Sequence, residues 1–379
     1  MKILFSGIYI PLFFGFIVLA LTGCVRSNGG ESEQIYFLTG SYSPASEPGV
    51  QLLAYNPASE EIVRISQSPA GINPSFLAWS GDKGLVYAIN EIAEKDSLPG
   101  GAVTSLKLNK KAGSLNLVKE TRISGGGPCH VSIAGDTKSL FISNYGDGSL
   151  SAVKLDREGL PSEEYLSLSF GDSGTVSHVH MAISILGNKK LLVSDLGLDR
   201  LTEFDLEEEE GEYSIYESRI INFLPGSGPR HFVFDSVNSL LYVANELSSE
   251  VEVFRRDQDI YRRIAKTRTL PAVIDAENYC SHIAMSPGRK YLYVGNRGHN
   301  SIAVFSLNKS GEPVFKTAVD CEGDWPRHFA ISPDGKIMII ANQRSGNITV
   351  FKIDPESGIP SYSGISYDIE TPSCILFID

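Results

Sequence analysis

The chain has 379 residues, with 36 Gly, 19 Pro, 16 Tyr and 18 Phe, a composition suited to many short strands joined by many turns. That length is ordinary for a closed all-β repeat architecture. With 33 Lys and Arg against 45 Asp and Glu, the net charge of −12 argues against non-specific binding to nucleic acid or an anionic membrane surface, and two Trp give no aromatic platform for bases.

The N-terminus reads as a targeting segment. Lys2 precedes an apolar run over residues 3–21, interrupted by Ser6, Gly7 and Pro11, and polar residues follow it. A retained transmembrane helix is the alternative, for which the run is barely long enough and contains a proline. The segment Leu21-Thr22-Gly23-Cys24 resembles the lipobox of bacterial lipoproteins. That resemblance implies cleavage of residues 1–23, lipid attachment to Cys24, a polar tether over 24–34 and a place in the cell envelope, with the membrane touched only through the lipid. Cys129, Cys280, Cys321 and Cys374 remain, irregularly spaced and without a CxxC pair, so buried free thiols are expected rather than two disulfides.

From residue 35 the chain repeats itself. Each copy is an inner-strand motif, a turn, a strand ending in Asn or Asp, a second turn and a third strand. Copies begin at Pro74-Ser75-Phe76, Pro128-Cys129-His130, His178-Val179-His180, Pro229-Arg230-His231, Cys280-Ser281-His282 and Pro326-Arg327-His328. A seventh begins at Pro372-Ser373-Cys374 and has no room for its other strands. Those are expected at the other end, over residues 35–40, 50–55 and 61–66. The reading is an all-β, seven-bladed propeller of four-stranded antiparallel blades over 35–379, closed by N- and C-terminal strands sharing the last blade. Taking Ser75, His130, His180, His231, His282, His328 and Ser373 as anchors gives spacings of 45 to 55 residues. The acidic run 207–210 reads as a solvated loop between strands.

A propeller gathers the anchors and the residues after each second strand around one axis. The first ring holds His130, His180, His231, His282 and His328; the second holds Glu91, Tyr145, Leu196, Glu246, Arg297 and Gln343, with Arg344 beside the last. A recurring His is first a packing residue. His180 has a stronger functional claim, because strand alternation puts His178 on its face. His178 and His180 with Glu246 make a conceivable zinc set, but no HExxH or Cys/His cluster supports a metal, and no GxSxG, GxxxxGK[ST] or GxGxxG motif appears. The arginines Arg230, Arg297 and Arg327 with Glu246 suggest a small anionic ligand such as a carboxylate or phosphate. The alternative is a structural Arg230–Glu246 ion pair.

The repeated segments GPRHFVF…LYVANELSSEVEVF, SHIAMSPGRKYLYVGNRGHNSIAVF and WPRHFAISPDGKIMIIANQRSGNITVF resemble the seven-bladed propeller lactonase family, which includes 6-phosphogluconolactonase and carboxymuconate cyclase. The resemblance spans essentially all of 35–379. It implies His180, Arg230, Glu246 and Arg297 as active-site positions, no cofactor or metal, and hydrolysis of a small anionic or sugar-derived lactone. Beside them, His178, Arg327 and Arg344 are candidate substrate contacts from their places in the two rings. A non-enzymatic envelope propeller binding a glycan or protein, or a cyclase-like lyase, remains open at this point. The exported N-terminus departs from a cytoplasmic substrate and leaves its identity open.

Overall fold

A computed structural model describes residues 34–378 apart from 93–99, 136–137, 172–173, 175, 210–211 and 272–276. The targeting segment, Cys24 and nearly all of the tether lie outside the described residues. The described residues form seven four-stranded antiparallel sheets and no helix. Their innermost strands, Pro74–Ser80, Pro128–Ile133, Val179–Ile185, Pro229–Asp235, Tyr279–Met285, Pro326–Ile331 and Pro372–Phe377, pack side by side in a closed ring. We number the blades 1 to 7 in that order.

Blade 7 is the seam. Its inner strand Pro372–Phe377 pairs with the N-terminal strand Ile35–Ser41 from Phe37↔Phe377 to Ser41↔Pro372, and Val50–Asn56 and Glu61–Ser68 complete the sheet. Joining the chain ends in one sheet leaves no unpaired edge at the closure.

The second strands are buried throughout, as in Leu240–Asn245 and Ile337–Asn342, because both faces pack on neighbouring blades. The apolar core therefore lies between blades. One cluster joins Leu240, Tyr242 and Val253 of blade 4 to Leu292, Val294 and Phe305 of blade 5. The Asn ending a second strand ties the rim of its blade to the chain leaving the previous one. Asn296 Nδ2 donates to the Thr269 carbonyl at 3.2 Å, and Asn342 Nδ2 to the Cys321 carbonyl at 3.3 Å. Outer strands such as Ile260–Arg268 alternate between exposed and half-buried residues, and their charged side chains discourage pairing with other sheets.

Two expectations need correction. The acidic run continues a strand, Arg200–Glu209, in which Glu207 pairs with Ser214, Glu208 with Tyr213 and Glu209 with Glu212. The strand runs past the second strand of its sheet, which pairs with it only as far as Asp205, so pairing with the outer strand alone continues it. The anchor set also mixes two positions. The inner strands of blades 1, 2, 3, 4 and 6 carry a one-residue register shift that opposes their Pro, or Val179, to the Asn or Asp ending the second strand. In the aligned register His180 stands with Ser75, Cys129, Arg230 and Arg327, while His130, His231 and His328 come one residue later, beside Phe76 and Met181. A bulge re-aims one side chain per strand, which sequence spacing alone does not register.

All four described cysteines are free and buried.

Candidate active site

The inner-strand starts and second-strand ends lie at one rim of the propeller. The bulged residues Arg230, Arg327 and His180 and the next ring, Glu246, Arg297, Tyr145 and Glu91, therefore converge on the mouth of the central channel.

Glu246 is the centre of the cluster. Its Oε2 lies 2.8 Å from Arg297 Nη2 and 2.9 Å from Arg230 Nε, so one carboxylate oxygen holds guanidiniums from blades 4 and 5. Arg230 and Arg297 are 3% and 5% exposed. Each is fixed from behind, Arg230 Nη1 donating to the Ser281 carbonyl and Arg297 Nη2 to that of Cys280 at 3.1 Å. The Arg230 Nε is close to Glu246 but not aligned for a hydrogen bond, and the Nε of both arginines is left without a hydrogen-bond partner. Burial, then repulsion from Arg297, pulls the Arg230 guanidinium down to about 9.

A second cluster faces it from the seam. Glu91 Oε2 accepts hydrogen bonds from Tyr42 Oη and Ser75 Oγ, both at 2.6 Å, and Arg327 Nη2 lies 3.6 Å away. The Arg327 guanidinium stacks over the Tyr42 ring at 5.0 Å. Tyr42 follows Ser41 and so completes the second ring, but the N-terminal strand supplies it, out of phase with the repeat. Its position after Ser41, the residue opposite Pro372, was the signal available.

His178 and His180 both reach Tyr145. The His178 ring stacks on it at 4.2 Å, with Nδ1 2.9 Å from the Tyr145 carbonyl, and the His180 ring meets it edge-on at 5.7 Å. His180 is buried, and its Nδ1 has no partner. Burial first, then Arg230, Arg327 and Arg297, hold its imidazole well below the usual histidine range, so it is neutral at physiological pH. Cys129, at the equivalent position in blade 2, is no nucleophile, because burial pushes its thiol up.

Trp325 was not singled out by sequence. It lies just before Pro326, and the Arg297 and Arg344 guanidiniums stand over its indole at 5.3 and 3.3 Å. Its φ is +66°, a left-handed conformation that Gly127 and Gly228 take in blades 2 and 4 without a side-chain penalty. A bulky residue held there stores strain of about 1–3 kcal/mol, as occurs where a site needs a particular side chain.

Further along the inner strands the rings of His130, His231 and His328 meet that of Phe76, and His282 packs against His231 and His328. His231 Nδ1 lies 2.9 Å from His282 Nδ1, so one donates and the other accepts, and the His282 and His328 rings are 4.0 Å apart. Burial and Arg230 drive the imidazoles of His130 and His328 down to about 3. These neutral rings are packing, in keeping with the structural reading of a recurring His. Among the described residues no group of three or more His, Cys, Asp or Glu is placed to hold a metal ion.

Comparison with known proteins gives consistent matches. Residues 36–377 match the family described as "Lactonase, 7-bladed beta-propeller". The chain is 28% identical to a 6-phosphogluconolactonase of Bacillus subtilis over 81% of this chain and 87% of that protein. It is 32% identical to a 6-phosphogluconolactonase of Formosa agariphila over 69% of this chain and 76% of the relative. Among solved structures, the periplasmic gluconolactonase of Pseudomonas aeruginosa superposes with a TM-score of 0.86 at 26% identity, covering 92% of this chain and 99% of that one.

Proposed function

Since the chain belongs to the seven-bladed β-propeller lactonase family, we propose that it hydrolyses a sugar-derived lactone, with Arg230, Glu246, Arg297 and His180 as its working residues. The observation carrying this reading is the single Glu246 oxygen that holds two buried guanidiniums, from blades 4 and 5, at the channel mouth.

In the proposed mechanism a water attacks the ring carbonyl, and the developing oxyanion is met by Arg230 and Arg297, whose orientation is fixed before substrate arrives. Glu246 positions both. Its Oε2 is committed to the two guanidiniums, and the neutral His180, whose Nδ1 has no partner, takes the role of accepting the water proton. The proton then passes to the leaving ring oxygen as the acyl bond breaks. The products are the open hydroxy acid, as its carboxylate at neutral pH, and one released proton. Arg327 and Arg344 take an anionic group remote from the carbonyl, and His178 keeps Tyr145 in place.

A non-enzymatic rim or a cyclase is less well supported than hydrolysis, which the named lactonase relatives favour. Acid release from a panel of glucono- and phosphogluconolactones tests the proposal. Rates equal to spontaneous hydrolysis throughout would leave the binding reading in its place.

We also propose export and lipidation at Cys24, on the strength of Leu21-Thr22-Gly23-Cys24. Metabolic labelling with a fatty acid should mark the wild-type chain and not Cys24→Ser; label retained in the variant would refute the assignment.

A further inference from the structure

We propose that the face of the propeller opposite the candidate active site carries a separate binding site for a phosphoryl group, in a cleft between blades 4 and 5. The cleft is formed where the turn after the inner strand of blade 4, the corresponding turn of blade 5 and the outer hairpin turn of blade 5 meet. All three turns lie at the strand ends away from the channel mouth. Its volume is about 200 Å³, below the roughly 300 Å³ at which pockets enclose drug-sized ligands, so it suits a head group rather than a whole metabolite.

Charge distinguishes this cleft from ordinary surface. Arg255, Arg289, Lys290 and Lys309 line it, and among the described residues the only carboxylate lining it is Asp235. Asp235 is already engaged: it accepts from Asn238 Nδ2 at 2.6 Å and from the Val237 amide at 3.1 Å, and Arg289 Nε lies 3.2 Å away. Neighbouring cations of blade 4 are matched, Arg256 with Glu203 and Asp259, Arg263 with Glu252 and Lys266 with Glu250. In a chain of net charge −12, a cluster of Arg255, Lys290 and Lys309 unmatched by carboxylates among the described residues is a local reversal of the protein's field.

The walls are also ordered in advance. Arg255 Nη2 donates to the Ser310 carbonyl at 2.9 Å, and Tyr242 Oη beneath donates to the Gly311 carbonyl at 2.8 Å. The Lys290 amide donates to Ser286 Oγ at 3.2 Å, and the Ser310 amide donates to Asn308 Oδ1 at 3.0 Å. The nearby Glu312 accepts from Asn308 Nδ2 at 3.1 Å instead of pairing with a lysine. A phosphoryl group would meet guanidinium and ammonium donors without first displacing a carboxylate.

The test is a titration of the whole chain in detergent with inorganic phosphate and with glycerol 3-phosphate at constant ionic strength, followed by melting temperature. Lys290→Gln/Lys309→Gln is the cleft variant and Arg297→Ala the control at the opposite face. Stabilisation of the wild type, weakened roughly tenfold in apparent affinity in the cleft variant and kept in Arg297→Ala, is expected. A parallel arm compares retention on phosphatidylglycerol and phosphatidylcholine vesicles. Extra retention on the anionic vesicles that disappears in the cleft variant identifies a lipid head group as the source of the phosphoryl group; response to the free esters alone identifies a soluble one. The proposal is overturned if the cleft variant matches the wild type in both arms, or if only Arg297→Ala loses the response. Neither result depends on lactone turnover.

Discussion

Glu246 in blade 4 lies 2.8 Å from the Arg297 guanidinium of blade 5, through the same oxygen that stands 2.9 Å from Arg230. Removing that charge while keeping the shape, as in Glu246→Gln, leaves two nearly buried guanidiniums facing each other. The expected result is a loss of about 3 kcal/mol in stability, the low end for a broken buried pair because Glu246 is 17% exposed, together with at least a roughly 10²-fold fall in kcat. Urea unfolding and steady-state kinetics on the same preparation check both. Unchanged kcat with lost stability would reduce the cluster to an ion pair.

His180→Ala should lower kcat by about 10²–10⁴-fold with KM little changed, as for removal of a general base. His231→Phe, in the packed ring one residue along, should change stability more than turnover. The reverse ordering would move the base away from the bulge position.

Stability should depend on pH through the buried histidine rings. His130 and His328 titrate at about 3 in the folded chain against 6.5 unfolded, so the unfolded state binds more protons between those values. Stability is full above about pH 6.5 and falls as the pH drops towards 3, by about 1.4 kcal/mol per histidine for each pH unit. Urea midpoints at pH 7.5 and 5.0 should therefore differ clearly, and a flat profile would contradict neutral burial of these rings.

Arg344 is exposed, has no carboxylate partner among the described residues and rests 3.3 Å over the indole of a strained Trp325. Arg344→Ala should raise KM about tenfold for a phosphorylated lactone while leaving an unphosphorylated one and both kcat values nearly unchanged. Equal effects on the two substrates would remove Arg344 from specificity.

Much of this was legible in the sequence. The seven copies, the incomplete last one and the apolar stretch over 35–40 determined the seam, and the Arg and Glu after Pro229 and Asn245 marked the cluster. The bulge was not legible, since a one-residue register shift leaves the repeat spacing intact; His180 was therefore grouped with His231 rather than with Arg230. Tyr42 and Trp325 were missed for different reasons. Tyr42 enters the ring from the N-terminal strand, and the position of Trp325 is filled by Asn73, Gly127, His178, Gly228, Tyr279 and Thr371 in the sister blades, so neither recurs in the repeat. Glu207, Glu208 and Glu209 continue the strand by pairing with Ser214, Tyr213 and Glu212, and a run of one residue type carries no apolar periodicity to find.

The central claim is that Arg230 and Arg297 supply preorganised donors to a lactone oxyanion. Its most direct test is acid release from gluconolactone and 6-phosphogluconolactone at pH 7 by wild type and Arg297→Ala, with spontaneous hydrolysis subtracted. Clear turnover of at least one lactone by the wild type is expected, with a fall of about 10²–10³-fold in kcat for the variant. Wild-type turnover that survives Arg297→Ala undiminished would contradict it.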